Sequence, residues 1–307
     1  MVDETLLELT LSFLTEVDTS LLLWVQLYDI DSPYRKQELN LSLTADDVAQ
    51  PLYYAANIVV KKILGRNIDV NTEGGYYGTA LQAASFQGDD TVVKMLLEAG
   101  ADVDTQKGRS RRSALYMASA NGYDMVVKML LDAGADVDAQ TGRSRRSALY
   151  KASANGYDMV VKMLLDAGAH VNTRGKYSET ALQAASSRGH EAVVKILLDA
   201  GADVNTRGEY SETALQAASS GGYETVVKLL LDAGADVDAA GVFGPALYTA
   251  SSDGHEIVVK TLLDAGADVI GRGIHGTALQ VALSRGHETI VKMLLEAGGD
   301  VTTQGDD

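Results

Sequence analysis

The sequence predicts an all-α repeat solenoid of paired antiparallel helices with projecting β-hairpin loops, preceded by a helical N-terminal cap. Two observations predict this class. A fixed motif recurs along the chain, and each copy contains two short apolar helices punctuated by glycine. The motif opens with Ala-Leu, and its seven copies begin at Ala80, Ala114, Ala148, Ala181, Ala214, Ala246 and Ala278, giving spacings of 34, 34, 33, 33, 32 and 32 residues. Such a period is typical of stacked supersecondary units rather than of one central core.

The cap is predicted over residues 1–50, which fit no repeat. This segment has two apolar stretches, around residues 6–14 and 21–27, and the only tryptophan, Trp24. It holds ten acidic residues against two basic ones, a net charge of −8. Because the first apolar face of a stack must be covered, we expect this segment to close the N-terminal end.

The repeat domain is predicted over residues 51–307, as one shortened and seven full repeats. Pro51 stands where a first helix would begin, a position that tolerates its ring. The apolar run over 58–64, which corresponds to the second helix, begins four residues earlier than it does in a full repeat. The full repeats begin near residues 79, 113, 147, 180, 213, 245 and 277.

One unit can be followed from Thr180. Thr180 is the expected N-cap, and the small and aliphatic residues over 180–187 predict a short packed helix. Residues 190–200 have an apolar stripe with helical spacing and predict a second helix. Gly201 stands where a left-handed C-terminal cap is expected. The segment 202–212 alternates extended and turn residues and predicts a projecting hairpin.

This unit resembles the ankyrin repeat. The opening T-x-L-x-x-A occurs four times, at Thr79, Thr180, Thr213 and Thr277, and the closing VVKMLL-x-AGADV recurs with few changes. The family's usual proline after the threonine is alanine here, and its usual histidine is glutamine or tyrosine. Glutamine at this position is expected to hydrogen-bond a neighbouring loop. The variant TALQAAS is similar to the ankyrin arrays of fungal NACHT-type receptor proteins, and this resemblance implies a role in recognition.

Composition excludes several other classes. The chain of 307 residues is 46% hydrophobic and 22% charged, which is a globular composition. It has no cysteine, which excludes disulfides and thiolate chemistry and fits a reducing compartment. The net charge of −16 argues against nucleic-acid binding. No apolar run reaches the length of a membrane span, so a cytoplasmic protein without nucleic-acid or membrane partners is expected.

The sequence predicts no cofactor, metal or catalytic site. Residues 271–276 spell G-x-G-x-x-G, but they fall between repeats with no predicted strand before them, as a dinucleotide loop would require. Three His-Glu pairs evoke zinc-protease helices, yet valine occupies the second ligand position each time. The recurring acid-Lys-acid pattern of the second helices is typical of a solvated outer face.

The hairpin tips carry the most varied residues and are the predicted partner-binding surface. Arginine and aromatic side chains commonly anchor interfaces. The predicted residues are Arg109, Arg111, Arg112, Arg143, Arg145, Arg146, Tyr177, Tyr210, Phe243 and His275. A stack should hold the two arginine clusters on one edge, where they would bind an acidic segment of a protein partner. The alternative is that the tips are solvated and have no function. The arginine cluster would then be repeated only because segments 109–135 and 143–169, which are nearly identical, arose by duplication.

The predicted function is therefore a non-enzymatic protein-recognition module, as part of a longer fungal receptor if the resemblance holds. The alternative is an enzyme or small-molecule binder on the concave face. Its polar groups would be Tyr116, Tyr150, His170 and Tyr248. A closed pocket converging on a histidine would favour that alternative, whereas a shallow open groove would favour the recognition module. The sequence leaves the oligomeric state open.

Overall fold

The computed structural model describes residues 70, 71, 73, 77–208 and 212–300. The chain divides into two units, with the boundary between Arg143 and Ser144. The predicted N-terminal cap over 1–50 and the shortened repeat that follows it lie outside the described residues.

The described part of the first unit contains two helix pairs. Its helices are α1 (Ala80–Gln87), α2 (Asp90–Glu98), α3 (Ala114–Asn121) and α4 (Asp124–Asp132). Each second helix packs against the first helix of its own repeat. Between repeats, α1 packs against α3 and α2 packs against α4. First helices therefore form one layer and second helices another.

The second unit repeats this arrangement five times. Its elements are α5 (Ala148–Asn155), α6 (Asp158–Asp166), α7 (Ala181–Ser186), α8 (Glu191–Asp199), α9 (Ala214–Ser220), α10 (Glu224–Asp232), α11 (Ala246–Asp253), α12 (Glu256–Asp264), β1 (Arg272–Gly273), β2 (Gly276–Thr277), α13 (Ala278–Arg285) and α14 (Glu288–Glu296). First helices contact first helices of the next repeat, and second helices contact second helices. These contacts confirm the predicted helical repeat solenoid as the fold class.

Side-chain caps start most of the first helices. Their hydroxyls accept a hydrogen bond from the backbone N–H three residues later, at Thr79, Ser113, Ser147, Thr180, Thr213 and Thr277. At the four threonine caps a glutamine side chain reciprocates, which completes a capping box. The predicted start at Thr180 is confirmed. The predicted left-handed glycine after the second helix is also confirmed, since Gly201 has φ of 82°.

The core comes from the same positions in every repeat. In α8, Val193, Val194 and Leu197 are no more than 1% exposed. The equivalent Val-Val-x-x-Leu side chains of α4, α6, α10 and α12 are equally buried. A leucine at the second position of each first helix completes this core. Because these positions recur with the repeat, the core of each unit is a row of side chains between its two helix layers.

The loops between repeats have little strand in the described residues. β1 and β2 pair antiparallel around a two-residue turn, an isolated bridge joins Gly241 to Gly244, and further bridge residues are Gly78, Thr141 and Arg146. Over the predicted hairpin 202–212, the Gly208 N–H donates to the Glu212 carbonyl at 3.0 Å. The G-x-G-x-x-G segment contains β1 itself, so it is an inter-repeat hairpin as predicted.

Glutamine side chains join three of the loops to the preceding repeat, as expected from the replacement of histidine. The Gln82 amide donates to the Arg112 carbonyl at 2.6 Å, and the Gln183 amide donates to the Glu212 carbonyl at 2.7 Å. Gln216 donates to the carbonyl of Gly244. The same three amides keep their oxygens on the N-caps of their own helices. One side chain thus fixes a helix start and the next loop together.

A second ladder of bonds joins the turns that follow the second helices. In each link the side chain of an Asp or Asn accepts from the backbone N–H of an Asp in the next repeat. The links are Asn71 to Asp102, Asp104 to Asp136, Asn172 to Asp203, Asn205 to Asp236 and Asp238 to Asp268, at 2.7–2.9 Å. These bonds explain the recurring Asp-Val-Asp or Asp-Val-Asn sequence.

Candidate interaction surface

Two consecutive loops of the first unit bring arginines together. Arg109, Arg111 and Arg112 lie in the loop between α2 and α3, and Arg143 lies in the loop after α4. The Gly142 N–H donates to the Arg111 carbonyl at 2.7 Å, so the two loops are in contact. All four arginines are exposed. We call these four residues the arginine cluster.

The arginine cluster has no carboxylate partner among the described residues. Its only described side-chain interaction is that of Arg112, whose guanidinium lies 5.2 Å from the centre of the Tyr116 ring. This distance is typical of a cation–π contact, which leaves the guanidinium edge able to donate to an anion. The nearby Glu73 carboxylate accepts from the Gly108 N–H at 3.0 Å.

The two arginines at the start of the second unit differ from each other in exposure and in their partners. Arg145 is exposed, but Arg146 lies 4.6 Å from the centre of the Tyr150 ring and pairs with Glu179 at 2.6 Å. Arg146 therefore has an intramolecular partner that Arg112 lacks. Because Arg143 belongs to the first unit and the other two to the second, a single edge holding all six arginines stays a prediction.

The predicted aromatic tips are placed on exposed loops. Tyr177 is 39% exposed beneath the Lys176 ammonium, and Phe243 is 49% exposed. His275 is also exposed, at the turn between β1 and β2. Tyr210 lies outside the described residues. Of the predicted tips, the structure brings Phe243 and His275 to a common site.

That site is a groove of about 370 Å³ in the second unit. Its apolar wall consists of the exposed tips Val242, Phe243 and Ile274. Small polar side chains of α9 and α11 form the opposite side, including Ser220 and Ser252. The apolar tips are 49–59% exposed, so the site is an open groove rather than a closed pocket.

Three charged side chains line this groove. The Asp253 carboxylate accepts from the Ser220 hydroxyl at 2.8 Å and lies 4.0 Å from the Arg285 guanidinium. Glu212, in contrast, has no side-chain partner among the described residues. Although Glu212 is exposed at the groove mouth, partial desolvation by the surrounding protein raises the pKa of its carboxyl above the ordinary value near 4.5. Neither Glu212 nor Asp253 is among the binding residues predicted from the sequence.

We expect Glu212→Gln to remove one contribution to the free energy of unfolding that decreases as pH rises. A carboxyl with a raised pKa in the folded state binds its proton more tightly there than in the unfolded chain. Its contribution to stability is therefore present below the unfolded pKa and lost as pH rises through the folded pKa. Denaturant unfolding of both proteins at acidic and neutral pH measures the difference. Identical slopes with pH would contradict this expectation.

The polar groups of the catalytic alternative do not converge on this groove. Tyr116 and Tyr150 lie beneath arginines, and His170 is exposed in the turn after α6. Of that set, only Tyr248 lines the groove, where its hydroxyl accepts from the His275 N–H at 3.3 Å. The open groove therefore meets the criterion that favours a recognition module.

The histidines of the His-Glu pairs make contacts between repeats. Nε2 of His190 lies 3.2 Å from the Ala154 carbonyl, and the ring covers Gly156 of that repeat. His255 and His287 repeat this arrangement on the preceding repeat. A carbonyl partner requires the proton on Nε2, so this nitrogen is not available to a metal. Across the described ranges, no group of three or more His, Cys, Asp or Glu could hold a metal ion.

Stacked helix pairs, glutamine-bridged loops and an open, loop-lined groove define a helical repeat protein. The family model described as "Ankyrin repeats (3 copies)" matches residues 48–141, 81–175, 149–241 and 240–305. The chain therefore belongs to the ankyrin-repeat family.

One solved structure agrees with this assignment, and one curated relative matches part of the chain. The crystal structure of the human ASB11 ankyrin repeat domain superposes with a TM-score of 0.66 and 27% identity, over 72% of this chain and 99% of that domain. The "Azaphilone pigments biosynthesis cluster protein L" of Monascus ruber is 37% identical over 92 residues, which cover 26% of this chain. The chain spans 20% of the length of that fungal relative. Within the described residues, no helix is long and apolar enough to span a bilayer.

Proposed function

We propose that this chain is a non-enzymatic recognition module whose arginine cluster binds an acidic segment of a protein partner. Ankyrin repeats are generally protein-interaction modules. The observation that carries the proposal is the arginine cluster itself, four exposed arginines without a carboxylate partner among the described residues, in a chain of net charge −16.

The chemistry of arginine supports this choice of ligand. A guanidinium presents paired donors that match the two oxygens of a carboxylate. The Arg111 backbone is fixed by its bond to Gly142, and the Arg112 side chain is held against Tyr116. A pre-ordered surface loses little conformational entropy on binding. Nucleic acid is disfavoured because the remaining acidic surface would repel phosphates.

A second candidate is a small-molecule site in the groove of the second unit. One observation favours it, since about 370 Å³ lies within the range of small-molecule pockets. The exposed apolar wall of Val242, Phe243 and Ile274 suits a protein surface better than an enclosed ligand. A metabolite screen on the purified chain, run beside affinity capture from the native cell, separates the two candidates.

We also propose that the chain is the sensing part of a longer, cytoplasmic fungal receptor of the NACHT type. The opening TALQAAS and the similarity to one part of a Monascus ruber protein support this view. The absence of cysteine agrees with a reducing compartment. An antibody against the repeats should detect a native protein much larger than 32.5 kDa in the cytosolic fraction. A native protein of 32.5 kDa would contradict the receptor proposal.

Charge reversal tests the arginine cluster. We expect the triple variant Arg109→Glu, Arg111→Glu and Arg143→Glu to slow association with a glutamate-rich peptide, or with the captured partner, by about tenfold or more. Stability should change by no more than about 0.5 kcal/mol for each substitution, because these exposed side chains make no described contact. Arg146 is left unchanged because its reversal would break the pair with Glu179.

The matched control reverses three lysines on the outer face, Lys94, Lys128 and Lys162. These side chains are exposed on α2, α4 and α6, so the control carries the same change in net charge away from the loops. Association kinetics at two ionic strengths and melting curves are measured for all three proteins. The wild-type rate should fall as salt rises. Equal kinetics for the folded triple variant and the wild type would overturn the proposal.

A further inference from the structure

The groove of the second unit combines an apolar wall with a carboxylate, Glu212, that has no side-chain partner among the described residues. Val242, Phe243 and Ile274 project from two consecutive loops and expose about half of their surface. Glu212 lines the same groove. Exposed apolar side chains that share a concave site are typical of interaction surfaces.

Comparison of equivalent positions shows why Glu212 lacks the arginine partner that Glu179 has. The residue before the first helix's N-cap is Arg146, Glu179 and Glu212 in successive repeats, and then Gly244. Arg146 pairs with Glu179 across consecutive repeats at 2.6 Å. No cation occupies the matching position beside Glu212, because its neighbours at that position are another glutamate and a glycine.

The other groove carboxylate is already engaged. Asp253 accepts from Ser220 and faces Arg285, so these three groups largely satisfy one another. The charge that remains available in the groove is therefore the negative charge of Glu212. Because the surrounding protein partly desolvates this exposed carboxylate, a cation from a partner would stabilise it more than it would a fully hydrated carboxylate.

We propose that this groove binds a partner segment in which a large apolar side chain is adjacent to a lysine or arginine. The apolar side chain packs against Phe243 and Ile274, and the cation pairs with Glu212. This inference rests on the proposed recognition function and adds the chemistry of a second segment, opposite in charge to the one assigned to the arginine cluster. Both segments belong to protein partners.

A random peptide library, displayed and selected against the whole chain, tests the proposal. We expect one enriched class to combine a large apolar residue with an adjacent Lys or Arg. A synthetic peptide of that class should bind about tenfold more weakly to Glu212→Gln and to Phe243→Ser than to the wild type. Replacing its cation with glutamine should weaken binding to the wild type but not to Glu212→Gln.

Two matched variants control for general effects. Glu224→Gln makes the same charge change on the outer face of α10, and Ile257→Ser removes an equally exposed apolar side chain of α12 outside the groove. Both should bind the peptide as the wild type does. Melting curves confirm that every variant is folded.

The outcomes separate this inference from the proposed function. Enrichment of acidic peptides alone, with binding lost in the arginine triple variant, would overturn the groove proposal and support the arginine cluster. Apolar peptides whose binding is indifferent to Glu212 would also overturn it. Failure to enrich either class would count against both.

Discussion

Replacing Leu197 with alanine should lower the free energy of unfolding by about 2–5 kcal/mol. Leu197 is 0% exposed in α8, which packs against α6 and α10 as well as against α7 of its own repeat. Removing its isobutyl group leaves a cavity that neighbouring helices, fixed by their own repeats, cannot fill. The loss is measured by denaturant unfolding.

Hydrogen exchange of the backbone amides shows which repeats are destabilised by Leu197→Ala. Protection should fall most in α7 and α8 and then in the adjacent repeats, because a stacked repeat contacts only its neighbours. Leu198→Ala is the matched control, since Leu198 is adjacent in sequence but only half-buried, and it should cost less. Equal loss of protection in all repeats of the second unit would contradict nearest-neighbour coupling.

Gly189→Ala should destabilise the protein by several kcal/mol, and by clearly more than Gly201→Ala. Both glycines have positive φ, 71° and 82°. Alanine in this conformation lowers the free energy of unfolding by roughly 1–2 kcal/mol at either position. At Gly189 the new Cβ would also overlap the ring of Tyr223, whereas at Gly201 nothing lies within 4 Å. Overpacking adds about 1–3 kcal/mol.

The two glycine variants are compared by denaturant unfolding, together with Tyr223→Ala and the double variant Gly189→Ala/Tyr223→Ala. Removing the ring should relieve the overlap, so the double variant should lose less stability than the sum of the single losses. Additive losses, or equal costs for Gly189→Ala and Gly201→Ala, would show that the ring contact contributes nothing.

The local features of the fold could be predicted because they depend on short-range chemistry. Thr180 caps a helix and Gly201 ends one for reasons contained in a few neighbouring residues. The projecting loops and the glutamine bonds to them were expected, but the backbone carbonyls that accept these bonds were not. Which carbonyl the glutamine reaches depends on the conformation of the next loop.

The candidate site was harder to predict because its residues come from different repeats. Phe243 and His275 could be named as exposed tips, but their meeting in one groove depends on how two loops project. Glu212 was missed because its lack of an arginine partner depends on which residues two other repeats have at the same position. The pair between Arg146 and Glu179 has a faint sequence signal, opposite charges at equivalent positions of consecutive repeats.

The bonds between repeats have a consequence for how such a gene can change length. In each bridge the donor and the acceptor occupy fixed positions within the repeat, as with Gln183 and the loop carbonyl at Glu212 or Asn172 and Asp203. A duplicated repeat therefore carries the acceptor for a bond with the repeat before it and the donor for a bond with the repeat after it, or the reverse. Unequal recombination can add or delete whole repeats without the need for a new interface, while the loop tips diverge under their own selection.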